Sequence, residues 1–198
     1  MRISDSEFAE VRGLRYHVRR WRHDGAPKLV LLHGWMDVSA SFQFLVDALR
    51  GDWDAYAPDW RGYGLTDWGK SDCYWFPDYI ADLDFLLDWI EPREPVNLVG
   101  HSLGGNVAAL YAGVRPQRVA KLVNLEGFGL ALTRPEQAPK RYARWLEELH
   151  QPPRLRSYAN FVQLAERLRK NNPRLSAERA EFLARHWGRE AVDGTVVL

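Results

Sequence analysis

Val96-Asn97-Leu98-Val99-Gly100-His101-Ser102-Leu103-Gly104-Gly105-Asn106 is the stretch that decides the fold of this chain. Its first four residues make a short apolar run, as in a strand buried on both faces. From Asn106 to Val114, the residues Val107, Leu110, Tyr111 and Val114 recur at i, i+3, i+4 and i+7, which is helical spacing. Between strand and helix stands Gly-x-Ser-x-Gly. A turn this sharp strains the serine backbone and holds its hydroxyl out, and it needs Gly100 and Gly104 where side chains would collide between strand and helix. The helix N-terminus then lies under the serine, where its dipole favours negative charge. Ser102 is therefore the candidate nucleophile. The competing reading is a glycine-rich turn whose serine only caps the helix.

Working outward, the rest of the first two thirds alternates strand and helix. Phe8–Val11 and Leu14–Trp21, separated by Arg12-Gly13, predict an opening hairpin. Lys28–His33 is a continuous apolar strand. Phe42, Leu45, Val46 and Leu49 mark a helix that Ser39 or Ser41 could cap. Ala55–Ala57 is a short strand ending at Pro58-Asp59, and Tyr79, Ile80, Leu83, Leu86, Leu87 and Ile90 form one face of a helix closed by Pro92 and Pro95. Val119–Leu125 reads as another strand. Such alternation implies parallel βαβ units with helices on both faces of a sheet.

Two further motifs stand at strand ends. His33-Gly34-Trp35 follows the buried strand, where a loop N–H can help hold an oxyanion, and the residue after the nucleophile supplies a second N–H. That nominates the backbone N–H groups of Trp35 and Leu103. His33 reads as a structural histidine that hydrogen-bonds the loop. The third motif is Asp59-Trp60-Arg61-Gly62-Tyr63-Gly64. In this order and spacing, His-Gly-Trp, Asp-x-Arg-Gly-x-Gly and Gly-His-Ser-Leu-Gly-Gly resemble the α/β-hydrolase superfamily from about Phe8 to Phe128, in particular its serine-hydrolase-like members near capped esterases and lipases. The resemblance implies an α/β-hydrolase fold, a predominantly parallel sheet flanked by helices, with Asp59 and Arg61 organising their loop. A serine at the elbow argues against epoxide hydrolases and haloalkane dehalogenases, which place an aspartate there.

After Glu126 the character changes. Thr133-Arg-Pro-Glu136 fits a capping box. Tyr142, Trp145, Leu146 and Leu149 mark one helix, and Pro152-Pro153 ends that region. Phe161, Leu164 and Leu168 mark a second helix, and Phe182, Leu183, His186 and Trp187 a third, which Ser176 could cap. Three amphipathic helices with no strand between them suggest an inserted helical lid, giving a core over 1–130 and a lid over 131–198. Asp193–Leu198 reads as the start of a strand, so the fold is expected to be incomplete at its C-terminus.

Acyl transfer by serine needs a base and an acid to orient it. After Ser102 only His150 and His186 remain, both in the lid: His186 shares an apolar face with Phe182 and Leu183, and His150 ends a helix. Neither suits a base. Glu126, directly after the strand Val119–Leu125, is the candidate acid; otherwise it anchors the lid hinge beside Gly127 and Gly129. The expected function is hydrolysis of ester, thioester or amide bonds in small apolar acyl substrates, with this chain inactive or partial. The alternatives are a non-catalytic binding protein, or one half of an assembly with a second copy or a complementing C-terminal chain.

The bulk composition narrows the field. The chain has 198 residues with a formal net charge of +1, which gives no bias toward nucleic acid or acidic membranes. Charge is uneven: Arg134–Glu190 holds 13 Lys/Arg against 7 Asp/Glu, and the remainder 14 against 19. This reads as a solvated helical surface, or as a basic lid matched to an acidic body. The nine tryptophans either pack the core or line an apolar pocket. The single cysteine, Cys73, cannot form an internal disulfide, and no signal-peptide or membrane-spanning stretch is present, so a soluble cytoplasmic protein is expected. No metal-ligand or phosphate-loop spacing appears, so no cofactor and no metal are implied.

Overall fold

The opening hairpin is built as its sequence reads. Strands β1 (Asp5–Val11) and β2 (Leu14–Trp21) pair antiparallel, joined by Arg12-Gly13 with φ of 51° and 78°. Two positive-φ residues make the kind of tight turn that matches the twist of the flanking strands. The computed structural model describes residues 1–70, 74–129, 132–151 and 156–198. Cys73, the Pro152-Pro153 pair and the expected 130/131 domain boundary lie outside the described residues.

Strands β3 (Lys28–Leu32), β4 (Asp54–Pro58), β5 (Val96–His101) and β6 (Val119–Leu125) complete a sheet of order β1-β2-β4-β3-β5-β6. β2 meets β4 antiparallel, while β4, β3, β5 and β6 run parallel. Alternate residues of each strand enter opposite cores. Val30, Leu32 and Leu98 pack with helices α2 (Phe76–Ile90) and α3 (Leu103–Val114) through Leu83, Leu86, Val107 and Tyr111. Leu29, Leu31, Ala55 and Ala57 pack on the other side with Phe42 and Val46, the latter on α1 (Gln43–Ala48).

Several local expectations change. Neither Ser39 nor Ser41 caps α1, which is preceded by a 3₁₀ turn over Ser39–Phe42. Carboxylates take those groups instead: the Ser39 N–H donates to Asp59 Oδ1 at 2.6 Å, and the Ser41 hydroxyl donates to Asp37. α3 begins at Leu103 rather than Asn106, and it buries Gly104, Gly105, Val107, Ala108 and Tyr111. Leu110 and Val114 stay exposed, because the helix approaches the strands along its small residues. β6 is an edge strand with most of its residues accessible, Val123 and Leu125 among them. Of the tryptophans, Trp21 and Trp60 are buried in the core, whereas Trp35, Trp68 and Trp75 are largely exposed. Core packing therefore accounts for only part of the tryptophan content.

Residues Met1–Phe128 and Gly129–Leu198 form two compact units. The second holds α4 (Ala138–His150), α5 (Phe161–Asn171) and α6 (Ala177–Trp187). Its core joins Tyr158, Leu164, Leu168, Ala180, Ala184 and Val196. Ser176 caps α6 by accepting from the Arg179 N–H at 3.3 Å, and Asn160 caps α5 in the same way from Gln163. The Thr133–Glu136 capping box is displaced by one residue: the Arg134 N–H donates to Gln137 Oε1 at 3.2 Å, and Pro135 opens a 3₁₀ turn. That register puts proline where its missing N–H costs nothing. The apolar residues of α4 at 142, 145, 146 and 149 form a helix as expected but remain about half exposed. The last residues do form a short strand, but in a separate two-stranded sheet. β8 (Val196–Val197) turns back on β7 (Arg189–Glu190), and Val196 also bridges to Tyr158, which closes the second unit on itself.

Candidate active site

The sheet order reverses at β3, which has β4 on one side and β5 on the other. The carboxyl ends of strands flanking such a reversal leave a crevice where ligands bind in open α/β sheets. His33-Gly34-Trp35 leaves β3 there and Ser102 leaves β5 there, so topology brings two of the sequence motifs together.

Ser102 has φ 50° and ψ −112°, a conformation that L side chains rarely adopt. Neighbours enforce it. A Cβ on Gly100 would stand 2.4 Å from the Gly104 carbonyl oxygen, and one on Gly104 would stand 2.1 Å from the Leu32 carbonyl oxygen, so strand and helix meet through bare backbone. The Ser102 N–H donates to the Leu125 carbonyl at 2.8 Å, and the Ser102 carbonyl accepts from the Asn106 N–H at 3.0 Å. Ser102 thus immediately precedes the first residue of α3, Leu103, whose N–H belongs to a first helical turn with no intrahelical acceptor. Negative charge at that point is favoured by the helix dipole.

The loop after β3 closes on the elbow. An added Cβ at Gly34 would lie 3.2 Å from Ser102 Cβ and 3.0 Å from His101 Nδ1, so Gly34 is in contact range of both. Trp35 follows with an exposed ring, and Met36 takes φ 55°. His33 fixes this loop from below. Its Nε2 accepts from the Trp60 N–H at 2.9 Å, so Nδ1 carries the proton and donates to the Gly34 carbonyl at 2.8 Å. The His33 carbonyl in turn accepts from the Trp60 indole at 3.0 Å. Complete burial drives the His33 pKa down, and the ring is neutral with both nitrogens occupied. It is a scaffold and not a base.

Asp59 and Arg61 act on the same framework. Buried Asp59 accepts from His17 Nδ1 at 2.7 Å, from the Ser39 N–H at 2.6 Å and from the Leu65 N–H at 3.0 Å. Burial alone would raise its pKa, but the hydrogen bond from His17, with that from the Leu65 N–H, outweighs it and holds the carboxyl below its ordinary value. Arg61 grips Asp82 of α2 with Nε and Nη2, each at 2.6 Å. The Tyr16 hydroxyl donates to the same carboxylate and accepts from the Arg61 N–H at 3.0 Å. Burial and Asp82 push the Tyr16 hydroxyl pKa strongly upward. Sequence reading missed Asp82 and Tyr16. The available signal was an aspartate at position 82 within the apolar stripe of 79, 83, 86 and 90, where only a charge partner makes burial tolerable.

Glu126 follows β6 with φ 63°, and its Oε2 lies 3.6 Å from His101 Nε2, both side chains being largely accessible. Asn124 clasps the next turn, accepting from the Gly127 N–H at 2.8 Å and donating to the Gly127 carbonyl at 2.9 Å. A Cβ at Gly127 would collide with Asn124 Oδ1 at 2.3 Å, so this position is a packed corner. His186 donates through Nδ1 to the Phe182 carbonyl, 2.9 Å away, and stacks on the Phe182 ring at 4.2 Å between centroids. His150 is the last residue of α4. Among the described residues, no hydrogen bond joins the Ser102 hydroxyl to a histidine, and no three His, Cys, Asp or Glu side chains cluster as metal ligands. Among them too, no helix is long and apolar enough to cross a membrane.

Comparison with known proteins agrees with this architecture. The zebrafish (Danio rerio) serine hydrolase-like protein is 30% identical over all of this chain and 62% of its own length. Mouse (Mus musculus) epoxide hydrolase 4 is 32% identical over 62% of this chain and 33% of its own. The solved thioesterase domain from a curacin biosynthetic pathway superposes with a TM-score of 0.84 at 25% identity, over 98% of this chain and 69% of that one. The chain thus spans about six tenths of the length of the zebrafish relative. The family described as the alpha/beta hydrolase fold matches residues 27–194, and the chain belongs to it.

Proposed function

We propose that this chain carries the nucleophile and oxyanion half of a serine hydrolase acting on ester, thioester or amide bonds of small apolar acyl substrates. The carrying observation is the backbone of Ser102, held at φ 50° between β5 and α3 with Gly34 against it. In this reading the Ser102 oxygen attacks the acyl carbon, the N–H groups of Trp35 and Leu103 stabilise the oxyanion, the leaving group departs, and water then hydrolyses the acyl-serine ester. Serine also discriminates between the chemistries found among the relatives. Its attack on an epoxide would leave an ether that water does not cleave, whereas its attack on an acyl group leaves an ester that turns over.

The same reading assigns the general base to the part of the longer relatives that this chain does not match. His33 and His17 are engaged through both ring nitrogens, and His101 stands beside Glu126. Glu126 then acts on His101 and the elbow corner, or as the triad acid once a base is supplied. Residues 131–198 serve as the lid, and a reducing, cytoplasmic setting fits the single cysteine. Treating the chain with a fluorophosphonate probe and mapping the adduct by mass spectrometry tests the assignment. A slow adduct confined to Ser102 and abolished in Ser102→Ala is expected. Labelling at the rate of a complete serine hydrolase would place a working base within these residues, and labelling elsewhere would remove Ser102 from its role.

A second reading, a non-catalytic binding protein or a half-assembly, is favoured by the accessible edge of β6 with Val123 and Leu125. Open strand edges invite pairing. Sedimentation that shows a single monomeric species at high concentration removes the assembly. Loss of ligand affinity in Ser102→Ala removes the binding protein.

A further inference from the structure

Within the second unit, α5 and the chain just before it shape a shallow cleft of about 190 Å³. That space is comparable to about six water molecules at about 30 Å³ each. Gln163, Glu166, Arg167 and Lys170 line it from α5, at i, i+3, i+4 and i+7, so they share one helix face. Arg156 and Tyr158 line it from the preceding segment. This wall is well anchored. Tyr158 is buried and exchanges backbone hydrogen bonds with Val196 at 2.8 and 2.7 Å, and the Arg156 guanidinium lies 5.8 Å from the Tyr158 ring centroid.

The lining is rich in donors, with the Glu166 carboxylate as its one anion. Gln163 spends its Oε1 on the Ala159 N–H at 2.7 Å, which leaves its NH₂ group as the end available to a ligand. Among the described residues, Arg156, Arg167 and Lys170 have no carboxylate within ion-pair distance, although other arginines of the protein do: Arg144 of α4, for example, pairs with Glu148 at 2.8 Å. Three cations and Glu166 leave the lining at net +2. A planar carboxylate satisfies one guanidinium fork. A phosphate monoester or diphosphate presents more oxygens and close to two negative charges, matching convergent cations from two segments. We propose that this cleft binds the phosphate group of a phosphorylated small molecule, independently of the chemistry at Ser102.

Isothermal titration of the full chain with inorganic pyrophosphate and with glycerol 3-phosphate, at ionic strength held constant with sodium chloride, tests this. Saturable binding with Kd of about 1 mM is expected, weakened at least about tenfold by Arg167→Glu or by Lys170→Glu. Arg144→Glu removes an equal charge from the same unit outside the cleft and should leave the affinity within about twofold. Urea midpoints confirm that each variant is folded. The absence of saturable heat in the unmodified chain, or equal losses in Arg167→Glu and Arg144→Glu, overturns the site. So does binding to phosphatidylserine vesicles that Arg167→Glu abolishes while neither soluble phosphate binds, because that would make the face a membrane contact.

Discussion

Replacing Asp82 by alanine is the sharpest test of how the Asp-x-Arg motif works. The Asp82 carboxylate is fully buried and accepts from Arg61 Nε and Nη2, from Arg12 Nη1 at 3.0 Å and from the Tyr16 hydroxyl. Arg12 is a third exposed and can rehydrate, so its loss costs little. Arg61 cannot do so as easily: its side chain is 9% exposed, and removing Asp82 leaves its charge with only the longer 3.6 Å contact to half-buried Asp78, beside an unpaired Tyr16 hydroxyl. Breaking one member of a buried pair costs about 3–5 kcal/mol, and we expect about 4 for Asp82→Ala. At about 2–4 °C per kcal/mol for a chain of this size, the melting temperature should fall by roughly 8–16 °C. Urea unfolding followed by tryptophan fluorescence suits the measurement, because seven of the nine tryptophans lie in Met1–Phe128. The double variant Asp82→Leu/Arg61→Met removes both charges and should recover at least about half of the loss, since an apolar pair can replace a buried ion pair. A cost below about 1 kcal/mol for Asp82→Ala, or a double variant as unstable as the summed single changes, would refute the reasoning.

Three further outcomes follow from the same geometry. Gly104→Ala places a methyl 2.1 Å from the Leu32 carbonyl oxygen, where neither backbone can yield cheaply, so a loss of about 3 kcal/mol or more in the urea titration is expected. Ser102→Gly relieves the positive φ and should stabilise the fold by about 1 kcal/mol while abolishing probe labelling, whereas Ser102→Ala keeps the backbone strain and gains nothing. Acid should destabilise the protein in two windows. His33 has its pKa lowered by burial from 6.5, so its contribution is complete above that value and declines as pH falls below it, when the unfolded chain takes up a proton that the folded chain refuses. His33→Gln should flatten that slope. Asp54 has an opposing burial effect outweighed by hydrogen bonds from Arg20 and Lys28, which bring its carboxyl from 3.8 to about 2. Its contribution is present above 3.8 and lost as pH falls to about 2. Urea midpoints across pH 2 to 8 for Asp54→Asn against the unmodified chain check the lower window.

The core strands and the elbow were legible because their signals are local. A buried parallel strand needs a continuous apolar run, and a strand-to-helix turn this tight needs glycine on both sides of Ser102, so 28–33 and 96–105 carry their structure in their own residues. The same locality explains the errors. Ser39 and Ser41 are good caps in isolation, but Asp59, distant in the chain, and Asp37 satisfy those groups first. Leu110 and Val114 fit a helical stripe, yet α3 buries Gly104, Gly105, Val107, Ala108 and Tyr111 instead, because Gly104 and Gly105 must meet neighbouring backbone and side chains at distances no side chain of their own would allow.

By itself, then, the sequence determined the alternation of strands and helices, the position of the sharp strand-to-helix turn at Ser102, and the helical character of the last third. Each of these depends on neighbours within one or two turns of chain. Tertiary structure alone decided which partners those residues meet: the reversal of strand order at β3 that brings Gly34 to Ser102, the carboxylate that receives Arg61, the placing of Glu126 beside His101, and the closing of Val196 onto Tyr158. The physical reason is that a backbone turn is specified by the sterics of its own residues. A buried charge or a shared crevice is specified by whichever distant group arrives to satisfy it.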